Sequence, residues 1–389
     1  MEVCEANKVP HSAMMEITWR CNLNCAHCYL PEGQRRKSAR ETDELTTAEW
    51  FRVLDEMAEL GVIYVTISGG EVCMRPDFIA LVEHARKREF DVRVFTTGTL
   101  FNPRIASALT DLAIGKVEIS VYGREETHDK LVGIPGSFRR SIEAGRVLRR
   151  GGIIVVIKCP LMNINIGDYP FLTDLADREG FLYKFDPTVV PRDDKDMAPL
   201  ALRTFDDELR AAFKDPKLRL AAQGDHPEDF DLASPLCDAG RTYLAVGPNG
   251  DVYPCIEWRT VMGNVRNNSV GDIWRGTEGS RIRNLKREDF KVCDKCAMLP
   301  WCPRCTGLAD REDGDALGPS REACHLAKLN YEVITGMKAP LTNLELQEGE
   351  AVAGRPGAAS ACGGGCGSCG AAKAPAAGGI RTIPIQAVR

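Results

Sequence analysis

The sequence predicts an α/β protein: a partial (β/α)6 TIM-like barrel, a small cysteine-rich α+β domain and a flexible tail. Three observations carry that prediction. Short β-type apolar runs alternate with helical runs six times between residues 14 and 186, the pattern of a parallel sheet with helices outside it. Cysteines, glycines and polar residues cluster just after those β-runs, on the loops that form the active rim of such a fold. The cysteines after residue 236 recur at short spacings suited to metal ligation, in a stretch with few periodic apolar runs.

A strand over residues 14–19 delivers the first cysteine loop, and an exposed basic and polar stretch follows over 34–44. Thr46 is placed to cap a helix ending near Leu60, with Glu49 at the capping-box position and Leu45 and Trp50 as a hydrophobic staple. Strands over 62–67, 92–96, 117–121, 153–158 and 182–186 alternate with helices over 77–88, 103–112, 137–150 and 169–178. A complete barrel of this kind has eight units; six predict an open one. Residues 191–235 read as a connecting segment with one helix over 205–213, capped by Thr204. The domain boundaries expected are 1–190, 191–235, 236–340 and a Gly/Ala/Cys-rich tail over 341–389, whose composition predicts disorder.

Of 389 residues, 50 are Lys or Arg and 55 Asp or Glu, a net charge of −5 that gives no basic surface for nucleic acid. No apolar run reaches the roughly 18 residues of a membrane span, and the first eleven residues lack the apolar core of a signal peptide. A cytoplasmic location is expected. Sixteen cysteines in that reducing compartment point to metal ligation rather than disulfides.

The first loop reads Cys21-Asn22-Leu23-Asn24-Cys25-Ala26-His27-Cys28-Tyr29, a C-x3-C-x2-C motif with no fourth cysteine nearby. Structural zinc takes four closed ligands, whereas an iron–sulfur cube held at three corners leaves one iron open. After the second strand comes Ser68-Gly69-Gly70-Glu71, where two glycines permit close backbone approach and the glutamate can accept from an ammonium group. These two motifs on a six-fold β/α region resemble the radical S-adenosylmethionine (SAM) family over about residues 14 to 190.

The resemblance implies that Cys21, Cys25 and Cys28 hold a [4Fe–4S] cluster whose free iron binds SAM. It implies that an electron from the cluster cleaves SAM to methionine and a 5′-deoxyadenosyl radical, which abstracts a substrate hydrogen. His27 matches a position that packs on adenine, Ser68 to Glu71 the turn that receives the SAM amino group, and Thr97 and Ser120 positions that contact ribose or methionine. Val72 stands where the family usually has proline, and Val132 where it often has the arginine that would partner the SAM carboxylate.

The second cysteine region resembles the family's SPASM extension, which carries two auxiliary [4Fe–4S] clusters and so implies three in all. Carried across, Cys237, Cys255 and Cys305 hold the first, and Cys293, Cys296, Cys302 and Cys324 the second. The fourth corner of the first is either open or filled by an unrecognised ligand such as Cys159. The family pairing implies a peptide or protein maturase, an electron donor such as flavodoxin or ferredoxin, and recognition by a separate leader-binding protein or by the substrate itself. Formylglycine formation, as in sulfatase maturases, is the runner-up, weakened because Ile256 replaces the aspartate those enzymes place after Cys255; Glu257 follows it. A non-catalytic electron or cluster carrier is the alternative from another class. Asp186, at the end of the sixth strand, is the expected acid/base by position. The tail repeats the three-cysteine spacing at Cys362, Cys366 and Cys369, read as thiols that scavenge or deliver iron or that imitate a Cys/Gly-rich substrate.

Overall fold

Strand β1 (Ser12–Thr18) buries every residue after its first, as a strand covered on both faces must. It pairs in parallel with β2 (Tyr64–Gly69), and parallel pairing continues through β3 (Asp91–Thr96), β4 (Lys116–Ser120), β5 (Ile154–Pro160) and β6 (Leu182–Asp186). The computed structural model describes residues 8–41, 43–218 and 231–353, and Cys362, Cys366 and Cys369 lie outside them. Residues up to Leu346 form one compact unit; of the second, from Gln347, only the end of the helix Asn343–Ala353 is described.

The sheet does not stop at the six expected strands. On the free side of β1 lies β7 (Tyr243–Val246), also parallel, followed by antiparallel β8 (Asp251–Tyr253) and β9 (Gly263–Asn264), so the order is β6-β5-β4-β3-β2-β1-β7-β8-β9. The cysteine-rich region thus begins as an extension of the barrel sheet. Its Val265, Val270, Ile273 and Trp274 join the main core with Trp50, Leu54 and Met57. Its longest helix, Arg321–Thr335, carries Cys324 and is capped by the Ser320 side chain.

The helix Thr47–Leu60 has the full capping box at Thr46 and Glu49 and ends at Gly61 in the left-handed conformation. The helices Phe78–Lys87, Pro103–Asp111, Ser137–Arg150 and Tyr169–Glu179 lie near the predicted spans. Thr204 does not cap the next helix. That helix runs Asp206–Lys214 with Phe205 at the cap position, and the Thr204 hydroxyl is buried without a partner; three acidic residues in the first turn supply the favourable charge instead. The helix Glu125–Val132 was not expected, because its apolar residues fall at one end and give no helical stripe.

Candidate functional site

Three segments meet at the C-terminal ends of β1 to β5. The loop after β1 presents Cys21, Cys25 and Cys28, held by backbone bonds from Cys21 N to Arg35 O at 3.1 Å and from Cys28 N to Cys25 O at 3.3 Å. The unexpected helix fixes it from the other side: the carbonyls of Leu131 and Val132, free at that helix's C-terminal end, accept from Ala26 N at 3.3 Å and Asn24 N at 3.0 Å. Burial pushes the Cys21 thiol up to about 12 and raises Cys25 and Cys28 as well. A metal must therefore displace their protons as it binds.

The turn after β2 is packed against that loop by its glycines. Gly69 sits at φ +144°, and a Cβ there would lie 2.1 Å from Thr18 O; one on Gly70 would lie 2.3 Å from Arg20 O. Gly70 N and Glu71 N donate to Thr18 O and Arg20 O at 2.8 and 2.9 Å. A Gly70→Ala substitution is expected to push the turn off the cysteine loop and lower bound iron per chain by roughly a third, the share of one cluster in three, read by iron assay after anaerobic reconstitution.

Glu71 does not reach toward the cavity as expected. It is fully buried, and its carboxylate accepts from the Thr96 hydroxyl at 2.8 Å, from Thr97 N at 2.7 Å and hydroxyl at 2.6 Å, and from Cys73 N at 3.1 Å. With that many donors it ties the end of β3 to the glycine turn. Thr97 is likewise engaged, by Glu71 and Thr99.

Between these segments lies a cavity of about 270 Å³ whose walls include the three thiols, Ser68, the two glycines, Thr97 and Ser120. His27 also lines it, its ring edge-on to Tyr122 at 4.6 Å and its Nδ1 buried without a partner. Burial, with the Arg35 and His128 charges, brings this imidazole down to about 4, so it is neutral at pH 7. The far wall carries Glu118, Lys158 and Glu257. Lys158 lies 3.8 Å from Glu118 and over the Phe95 ring at 4.1 Å. Asp186 is not part of this wall: it is exposed, and its Oδ1 accepts from Thr188 N at 2.9 Å, closing the turn after β6.

The later cysteines fall into two sets. The electrostatic neighbours of Cys255 include Cys305 and Cys237, and those of Cys302 include Cys324, Cys293 and Cys296. Cys159 joins neither: it lies in the core with its sulfur bonded to Asn165 and Pro160 O. Among the described residues no three His, Cys, Asp or Glu side chains converge closely enough for a single metal ion. The donor set of each group, thiols without imidazole, suits the separate corners of an iron–sulfur cluster.

A buried charge network, missed in the sequence because its members are far apart in the chain, binds the cysteine-rich region to the first loop. Glu16 on β1, with no exposure, accepts from Arg259 Nη1 at 2.7 Å, from Trp19 Nε1 at 3.2 Å and from the Tyr29 hydroxyl. Arg259 also meets Asp193 at 3.3 Å; Asp193 pairs with Arg311 at 3.1 Å, which lies 3.6 Å from Glu257. Tyr29 follows Cys28 directly, and Glu257 and Arg259 follow Cys255 by two and four residues.

Comparison with known proteins gives two family matches: the Radical SAM superfamily over residues 15–175 and the SPASM iron–sulfur cluster-binding domain over 237–306. The chain is 28% identical to a PqqA peptide cyclase of Rhodopseudomonas palustris, covering 87% of this chain and 92% of the relative. It is 26% identical to an AdoMet-dependent heme synthase of Methanosarcina barkeri over 79% and 94%. It is 30% identical to the mycofactocin maturase MftC of Mycobacterium ulcerans over 74% and 80%. In fold it is similar to Streptococcus suis SuiB bound to its precursor peptide SuiA, with a TM-score of 0.64, 18% identity, and 83% and 78% coverage.

Proposed function

We propose, from the premise that this chain belongs to the radical SAM superfamily of enzymes and carries a SPASM domain, that it removes a hydrogen atom from a peptide or protein and so installs a cross-link or an oxidised side chain. The observation that carries this reading is a cavity whose walls include both the three-thiol loop and Glu257 of the auxiliary cysteine region. The names of two relatives, a PqqA peptide cyclase and a mycofactocin maturase, and the precursor peptide bound to the similarly folded SuiB support a peptide as substrate.

In this reading Cys21, Cys25 and Cys28 hold the cluster that meets SAM, while Cys237, Cys255 and Cys305 and then Cys293, Cys296, Cys302 and Cys324 hold two auxiliary clusters. The bound cofactors supply a one-electron reduction of SAM and a carbon radical able to take a hydrogen atom. The chain's own part is to orient and enclose. Gly69 and Gly70 admit the amino-acid end of SAM, Ser68 and Ser120 offer hydroxyls, and neutral His27 offers an apolar ring face. Glu71 acts from behind, holding the turn and Thr97 in place. Glu257, rather than Asp186, is the carboxylate we assign to accept a substrate proton, since it lines the cavity and its Oε2, 3.6 Å from Arg311, makes no hydrogen bond. A flavodoxin or ferredoxin is the electron donor this chemistry calls for.

The test is to reconstitute the protein anaerobically, reduce it with SAM present and quantify 5′-deoxyadenosine. Formation above background supports the enzyme reading, and its absence from protein with a full iron load removes it. A peptide that raises the yield is then used with Glu257→Gln, which is expected to keep iron and 5′-deoxyadenosine but form roughly 10²-fold less modified peptide. A porphyrin that raises the yield where peptides do not overturns the peptide reading.

A further inference from the structure

Arg35 ends the short helix Glu32–Arg35 that lies behind the first cysteine loop, and its side chain is 3% exposed. Its Nε donates to Leu30 O at 3.2 Å and its Nη1 to Asn24 Oδ1 at 3.1 Å, so both contacts are to the loop and both are with neutral acceptors. The two other buried arginines among the described residues, both slightly more exposed, are paired with carboxylates, Arg20 with Glu44 and Arg75 with Glu44 and Asp77. Arg35 has no carboxylate partner among the described residues. A guanidinium cannot shed its proton, and a buried charge without an opposite charge is unfavourable.

The opposite charge is on the loop itself. The Arg35 carbonyl accepts from Cys21 N at 3.1 Å while its guanidinium bonds residues 24 and 30, so the charge lies against the loop that carries Cys21, Cys25 and Cys28. Three thiolates outweigh the charge of the iron–sulfur core they hold, and an added electron makes the assembly more negative still.

We propose that Arg35 is the built-in counter-charge of the cluster held by Cys21, Cys25 and Cys28: a positioning residue that favours cluster uptake and its one-electron reduction without touching SAM or substrate. This rests on the reading that the loop binds a cluster. The electron comes from the external reductant; Arg35 changes only how readily the cluster accepts it.

The test uses the full chain reconstituted anaerobically, with Arg35→Lys, Arg35→Gln and the wild type titrated with dithionite and redox mediators. The first cluster is followed through the electron paramagnetic resonance signal that changes when SAM is added. At the potential where half of that cluster is reduced in the wild type, Arg35→Gln is expected to show a reduced-to-oxidised ratio about tenfold lower, equivalent to about 59 mV. Arg35→Lys, which keeps the charge, is expected to stay within about threefold of the wild type. Equal ratios in all three proteins, or a lysine variant that behaves like the glutamine one, overturn the proposal.

Should Arg35→Gln fail to take up the first cluster, thermal melting of the iron-free proteins decides. An iron-free variant at least as stable as iron-free wild type supports the counter-charge role, because removing an unpaired buried charge costs the empty fold nothing. A marked loss of melting temperature there assigns Arg35 to folding and overturns it. A wild type with no SAM-sensitive signal removes the functional reading and this proposal together.

Discussion

Replacing Arg259 with methionine is expected to cost the folded protein about 3–5 kcal/mol at neutral pH, the penalty for leaving a buried partner charge uncompensated. Glu16 is that partner. Burial alone would raise its carboxyl, but the Arg259 charge and hydrogen bond, with those of Tyr29 and Trp19, outweigh burial and hold it below the usual glutamate range. A carboxyl depressed in the folded state contributes stability above its unfolded value, and that contribution disappears as pH falls through the folded one. In Arg259→Met burial is opposed only by the Tyr29 and Trp19 hydrogen bonds, so the Glu16 value rises. The deficit against wild type is therefore full above that raised value and narrows as pH falls through it, where Glu16 takes up a proton. Denaturant midpoints measured across pH check this, and the double variant Glu16→Gln, Arg259→Met is expected to recover part of the loss. A single variant within about 1 kcal/mol of wild type at pH 7 would sink the assignment of this network as the clamp between β1 and the auxiliary cysteine region.

Substituting Cys25 with alanine is expected to bring 5′-deoxyadenosine formation to background while the fold persists. The side chain packs against the main core, yet alanine removes only one sulfur from it. Its loss leaves two thiols on a loop whose design already lacks a fourth, and a cluster held at two corners has no stable site. Iron should fall by roughly a third if three clusters are present, since the two later cysteine sets are untouched. The matched measurements are iron per chain, far-ultraviolet circular dichroism and 5′-deoxyadenosine. Wild-type yields of 5′-deoxyadenosine from Cys25→Ala would remove this loop from the chemistry.

Much of the frame was legible in the chain. The alternation of β-runs with capped amphipathic helices is local, with a period set by backbone geometry, so β1 to β6 and most of the flanking helices follow from it. The motif at Cys21, Cys25 and Cys28 and the Gly69-Gly70 turn are equally local, because ligand spacing and tight backbone approach are encoded within a few residues. The helix Glu125–Val132 escaped notice because it is held by what it touches, its last carbonyls bonding Asn24 and Ala26, rather than by an apolar stripe. The place of Asp186 was not legible for a related reason: position at a strand end says nothing about whether the carboxylate turns inward or closes its own turn, and here it accepts from Thr188 N.

By itself, then, the sequence determined the class of fold, the three-thiol loop at the end of the first strand and the glycine turn beside it, since each depends on neighbours in the chain. Only the tertiary structure decided that β7 extends the barrel sheet at β1, that Glu71 holds a turn while Glu257 lines the cavity, and that Arg35 is buried against the first cysteine loop with no carboxylate partner among the described residues. Those outcomes depend on pairing between residues as distant as Glu16 and Arg259. The free energy of a buried charge is set by whatever the fold places within a few ångströms, not by its position in the sequence.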